Sequence, residues 1–286
     1  MVAITFVVAF IAGWDWSPGP RVAGRSLRSW VGGSRIWAPP PVEFVRDAGP
    51  GAYDWLIEEA LRSQPPGETI FSFILGEFRI QWNPSNERRQ RALNALGGLG
   101  TNAVPHLLRR MGQLPEAPLH PTPAYWHLVA HVTTPEHRPW VSAQLTELAT
   151  QRGGMVRMQV IDALSQPNCY EASALPTLIV GCRDPDPSVR RHALWAMRRP
   201  FIPASVAVPV LIAALEDSDV NVVDLAVGGI MDRAKDAAAA KPKLLELRKA
   251  VDQGRLLNGT NALPHQARNL AGSIDRALGA LEKPPR

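Results

Sequence analysis

The sequence predicts an all-α chain: a right-handed solenoid of stacked helix pairs behind a loop-rich N-terminal segment. Three observations carry that prediction. Pro105, Pro139, Pro176, Pro209 and Pro242 recur at intervals of 34, 37, 33 and 33 residues. The apolar positions ahead of the last three prolines recur with them, and short turns rich in Asp and Ser separate the units. A repeat period of this size marks an array in which each unit buries its apolar face by stacking on its neighbours.

Each proline opens a helix. Val104-Pro105-His106-Leu107-Leu108, Leu175-Pro176-Thr177-Leu178-Ile179, Val208-Pro209-Val210-Leu211-Ile212 and Lys241-Pro242-Lys243-Leu244-Leu245 all place an apolar run behind it. At the first helical turn the missing proline N–H has no partner to lose. The preceding helix is read from columns: Val156, Val189 and Val222, then Ile161, Leu194 and Val227, then Leu164, Met197 and Ile230. Offsets of 5 and then 3 residues from one column to the next within each unit keep these side chains on one helical stripe. Ala163, Ala196 and Gly229 form a further column of small residues, suited to close helix approach. The first unit, from Arg88 to Leu96, fits with a shorter linker, whereas the second, at about 121–150, has a longer linker and weaker columns. Between units, Asp184-Pro185-Asp186-Pro187-Ser188 and Asp217-Ser218-Asp219 supply side chains able to cap the next helix.

Residues 184–197 and 208–217, Asp-Pro-Asp-Pro-Ser-Val-Arg-Arg-His-Ala-Leu-Trp-Ala-Met and Val-Pro-Val-Leu-Ile-Ala-Ala-Leu-Glu-Asp, resemble a HEAT repeat. Residues 98–108, Gly-Leu-Gly-Thr-Asn-Ala-Val-Pro-His-Leu-Leu, together with the N-terminal arrangement, resemble bacterial HEAT-repeat proteins that carry an apolar leader. The resemblance covers about residues 86–250. Only Arg157 and Arg190 keep an arginine after the column valine, and Val223 takes that place in the next unit. The resemblance implies a HEAT/armadillo-like scaffold and no reaction.

The expected organisation is an apolar leader at 1–20, a Pro- and Trp-rich segment at 21–85, repeats at 86–250 and a capping helix at 251–286. Ala48 to Ile57 parallels Leu99 to Leu108, marking a degenerate first unit with a helix at about 52–63. Thr69 to Leu75 is read as helix. Gly259-Thr260-Asn261-Ala262-Leu263-Pro264-His265 echoes Gly100 to His106 and predicts a closing helix at about 262–281. Val2 to Gly13 carries no charge and is shorter than a membrane span. Export or membrane anchoring through this leader is the expectation, against an apolar helix packed on the solenoid or a frayed leader on a cytoplasmic chain.

Charge supplies the rival function. The net charge is +5, with 18 Lys and Arg against 14 Asp and Glu in residues 151–286. A basic solenoid is able to cradle nucleic acid. The pairs Arg88-Arg89, Arg109-Arg110, Arg190-Arg191 and Arg198-Arg199 each lie near acids, however, and are read as coating solvated helix faces. His127 and His131 have the spacing at which two imidazoles share a metal on a helix, with His120, Glu136 and His137 nearby. The stretch His127-Leu128-Val129-Ala130-His131 lacks the glutamate of a metalloprotease motif, and packed or exposed histidines are the expected reading. Cys169 and Cys182 read as small core residues, with a disulfide as the alternative. The tryptophans at 14, 16, 30, 37 and 55 either anchor the N-terminal segment or offer an aromatic patch.

The expected function is therefore a non-enzymatic scaffold without cofactor or metal. It binds protein partners along a concave face lined by the proline-led helices, with Arg109, Gln144 and Lys243 as candidate contacts. The runner-up is a nucleic-acid-binding solenoid resembling DNA glycosylases. A phycobilin-lyase-like repeat protein is a third reading, and membrane contact is expected only through the leader.

Overall fold

The computed structural model describes residues 20–22, 25–27, 42–62, 84–115, 123–259 and 263–282. Residues 1–19 of the leader, Thr69 to Leu75, His120 and the tryptophans at 14, 16, 30 and 37 lie outside them. Contacts divide the chain into two units, the first of residues 1–113 and 121–137, the second of 114–120 and 138–286.

In the first unit a two-residue antiparallel pair, β1 (Arg21–Val22) and β2 (Arg25–Ser26), sets Arg21 opposite Ser26. Helices α1 (Val42–Asp47), α2 (Pro50–Leu61) and α3 (Pro84–Leu99) follow, then a 3₁₀ turn at Gly100–Ala103, α4 (Val104–Gly112) and α5 (Tyr125–Val132). α2 packs on α3 and α4, and α5 on the same two helices. Leu56, Ile57, Leu96, Leu107 and Met111 are fully buried between them. The expected degenerate helix at 52–63 is α2, displaced by two residues because Pro50 serves as a helix-opening residue.

The sequence parallels around Gly49, Gly100 and Gly259 have a common backbone cause. All three have positive φ, at 78°, 55° and 84°, a conformation that residues with a Cβ rarely adopt. The likeness of these stretches is a shared way of turning the chain.

The second unit contains α6 (Arg138–Gln151), α7 (Gly154–Leu164), α8 (Leu175–Gly181), α9 (Pro187–Met197), α10 (Ala204–Ala213), α11 (Val220–Asp232), α12 (Lys241–Asp252) and α13 (Pro264–Glu282). The pairs are α7 with α8, α9 with α10 and α11 with α12. α6 precedes them and α13 is the expected closing helix. The first helices form a row in which α7 packs on α9, α9 on α11 and α11 on α13. The predicted columns line this row: Val156, Val189, Val222, Ile161, Leu194, Val227, Leu164, Met197 and Ile230 are all fully buried. The small column allows the close approach expected of it. A Cβ placed on Gly229 would stand 2.6 Å from Cδ2 of Leu211 and 3.2 Å from Cγ of Arg198.

Two expectations are corrected. Pro209 lies inside α10, not in its first turn, because Ala204-Ser205-Val206-Ala207-Val208 is already helical behind Pro203 at the N-cap. The arginine pairs are also not simply solvated. Arg88 is buried on α3 with Nε 3.7 Å from the carboxylate of Glu59, itself buried on α2. A buried carboxylate has to be matched by a cation. Arg89, though exposed, donates from Nε to the Ala60 carbonyl at 3.1 Å.

Candidate interaction surface

The turns of the second unit build the surface's framework. Asp186 caps α9 by accepting from the Ser188 N–H at 2.8 Å, and Asp219 caps α11 by accepting from Asn221 and Val222. Asp184 and Asp217 fold the turns themselves, accepting from the N–H groups of Asp186 and Asp219 at 2.9 and 2.8 Å.

Arginines then tie one turn to the next. Arg157 donates to the Ala149 carbonyl at 3.1 Å and pairs with Asp184. Arg190 donates to the Asp184 and Pro185 carbonyls at 2.9 and 3.1 Å, and grips Asp217 through two bonds of 2.7 and 2.8 Å. The side chains of Arg190 and Asp217 are only 13% and 12% exposed, so their charges are largely hidden from water. The column arginines thus act inside the array as staples.

The proline-led helices of this unit turn another set of side chains outward. Pro139, Pro176, Pro209 and Pro242 are all exposed, as are Ala143, Val180, Ala213 and Glu246, four residues after each. Large apolar side chains stand among them: Trp140 is 43% exposed on α6, Val180 64% on α8 and Leu245 46% on α12. Burying such a group against a partner removes apolar area from water, at about 25 cal/mol per Å².

A cavity of about 490 Å³ interrupts this surface between the turn after α8 and the turn after α10. Its wall includes Val210, Ala213 and Ala214, and its rim carries Arg183, Arg190 and Glu216. Cys182 also lines it, as a buried free thiol pushed up by burial to about 12.

The row of first helices carries a second exposed feature. Trp195, 47% exposed on α9, holds the Arg198 guanidinium 4.6 Å from its ring centroid. Arg198 also pairs with Asp232 at 2.7 Å and lies over Gly228, where an added Cβ would stand 3.3 Å from Nη1. Cation, ring and carboxylate are thereby fixed as one stack.

The sequence-derived contacts lie on three different helices. Arg109, on α4 of the first unit, holds Asp54 through two bonds of 2.7 Å. Gln144 is half-buried on α6. Lys243 on α12 pairs with Glu216 at 2.5 Å and Glu246 at 3.2 Å, and the hydrogen bonds, that to Glu216 first, raise its pKa. The charges of Arg109 and Lys243 are already engaged.

The histidines are accounted for locally. His131 Nε2 lies 3.2 Å from the Leu93 carbonyl, and the His127 ring sits edge-on to Trp126. Among the described residues no three His, Cys, Asp or Glu side chains gather as a metal site needs. Cys169 and Cys182 are both free and buried.

Sequence reasoning missed the cavity and Trp195. A signal existed for each. Trp195 shares its repeat position with Asp162 and Gly228, so a large aromatic there stands outside the pattern. Val180 shares its position with Ala143 and Ala213, outside the buried columns.

A family model described as HEAT repeats matches residues 142–228 and 175–257. No curated protein matches the chain. A solved structure of a designed armadillo repeat protein in complex with the peptide (KR)4 is 14% identical, with 84% of this chain and 98% of that chain covered at a TM-score of 0.44. The complex of CpcE and CpcF of phycocyanin lyase from Nostoc sp. PCC7120 is 18% identical, with 93% and 98% covered at a TM-score of 0.31.

Proposed function

Since residues 142–257 match a family model of HEAT repeats, we propose that the chain works as a non-enzymatic scaffold that holds a protein segment against the proline-led helices of its second unit. One observation carries this reading: Trp140, Val180 and Leu245 stand in solvent on three of those helices, at 43, 64 and 46% exposure. Separated apolar anchors on a rigid frame suit a partner that contributes several side chains in sequence. Gln144 and Lys243 belong to the same set of helices, Lys243 as a contact in so far as a partner competes for its carboxylates, and Arg109 is a candidate contact of the first unit by itself. The internal use of Arg157, Arg190 and Arg198 counts against the nucleic-acid reading, because cations spent on Asp184, Asp217 and Asp232 form no phosphate track. Export or anchoring through Val2 to Gly13 is part of the same proposal, and fractionation of a C-terminally tagged chain tests it.

The functional test is chemical crosslinking of the full chain in its native extract, followed by the same experiment with Trp140→Ala and Leu245→Ala. A specific protein should be recovered with the wild type and lost with both variants while their thermal melts stay unchanged. Charge reversal at Arg109 and Lys243 should weaken the capture less. Duplex DNA should bind weakly, with affinity collapsing as salt rises. Tight, salt-resistant DNA binding with no crosslinked protein would replace the scaffold with the nucleic-acid reading.

A further inference from the structure

The charges around the cavity between the turns after α8 and α10 can be matched one by one. Three carboxylates stand at or beside it, and each has a cation: Asp184 has Arg157, Asp217 has Arg190, and Glu216 has Lys243. Arg183 is left over. It is exposed, lines the cavity, and among the described residues its guanidinium has neither a carboxylate nor a hydrogen-bond partner. The wall beneath is apolar, of Val210, Ala213 and Ala214. Val180, whose carbonyl accepts the Arg183 N–H at 2.9 Å, extends that apolar character onto the end of α8.

One unspent positive charge over an aliphatic wall calls for one negative charge flanked by aliphatic groups. A polyanion would bring further charges against Asp184, Glu216 and Asp217. Exposed apolar positions continue on both sides of the cavity, with Trp140 and Ala143 on α6 before it and Leu245 on α12 after it. A bound segment therefore crosses the cavity instead of ending in it. We infer that this cavity is the specificity site of the scaffold, taking a Glu or Asp side chain of a peptide segment onto Arg183 and the aliphatic residues beside that acid onto Val180, Val210 and Ala213. The inference rests on the scaffold reading and names the chemistry of its partner.

The test uses the full chain and three peptides: N-acetylated, C-amidated Ala-Val-Glu-Val-Ala, the same peptide with Gln in place of Glu, and the Gln peptide with a free C-terminal carboxylate. Binding is read from the methyl resonances of Val180 and Val210 by carbon–proton NMR. The Glu peptide should shift both residues, and should weaken about fivefold on Arg183→Gln, as expected for removal of one partly exposed ion pair. The Gln peptide should bind wild type and Arg183→Gln alike. Equal affinity of the Glu peptide for the two proteins overturns the inference. Preference for the free-carboxylate peptide also overturns it, assigning Arg183 to chain ends. If no peptide shifts Val180 or Val210, the cavity is not the site. The scaffold reading then still stands or falls on the crosslinking with Trp140→Ala and Leu245→Ala, neither of which alters Arg183.

Discussion

Leu194 and Arg191 stand three residues apart on α9 in opposite surroundings. Leu194 is fully buried in the column between neighbouring helices, while Arg191 is half-exposed and donates to the Ser188 hydroxyl at 3.0 Å. Leu194→Asp buries an unpaired charge and removes packing, and should cost about 4 kcal/mol. Arg191→Asp should stay within about 1 kcal/mol, and urea unfolding followed by circular dichroism separates the two. A second contrast ranks the arginines. Arg190→Ala leaves Asp217 enclosed without its cation and should cost about 3 kcal/mol. Arg109→Ala opens a pair whose arginine side chain is 48% exposed and should cost under about 1 kcal/mol. The thiol of Cys182 supplies a pH prediction. Burial raises it from 9.0 to about 12, with Arg183 pulling the other way. The folded thiol thus ionises later than the unfolded one. The stability it contributes is intact below the unfolded value and is lost as pH climbs from there toward about 12. At pH 8 a thiol-exchange reagent should react with native protein far more slowly than with protein in denaturant.

Prolines of the same sequence period do different work in different helices. In α8 and α12 Pro176 and Pro242 sit in the first turn, where no backbone hydrogen bond is lost. In α10 Pro209 sits in the interior and withholds the N–H that would reach back to residue 205. Pro209→Ala should therefore stabilise the protein by about 1–3 kcal/mol, while Pro176→Ala should change little or destabilise slightly. Differential scanning calorimetry of both variants checks the contrast, and equal melting shifts would contradict it. Most of the array was legible in the sequence, because burial along a stacked helix repeats with the unit: Val189, Leu194 and Met197 announce their environment through Val222, Val227 and Ile230. Both Asp caps were legible for the same reason. Arg88 was not, since its burial depends on Glu59 across a helix contact that no periodicity within α3 encodes. The start of α10 was not, because the proline marker outweighed the helical run ahead of it. The cavity escaped because it is made by two turns, and its unspent charge emerges only after the ion pairs at Asp184, Glu216 and Asp217 are matched.

For the molecule as a whole, the second unit contains its own continuous buried row, from α7 through α9 and α11 to α13. Stability in such an array is a sum over units and the interfaces between neighbours. A fragment of residues 114–286 should accordingly remain helical and melt cooperatively. A broad, non-cooperative melt of that fragment would show that the row needs the first unit. The arginine staples add a direction to this architecture. Arg190 takes the carbonyls of the turn before its helix and the carboxylate of the turn after the pair, and one unit earlier Arg157 takes the Ala149 carbonyl in the last turn of α6 and the carboxylate of Asp184. A tandem duplication of residues 184–216 would thus reproduce both halves of the joint at each seam and lengthen the array without inventing a new interface. Growth in that manner ends where Val223 occupies the arginine's place, so a single repeat position carries both the rule for the array's extension and the point at which that rule ceases to apply.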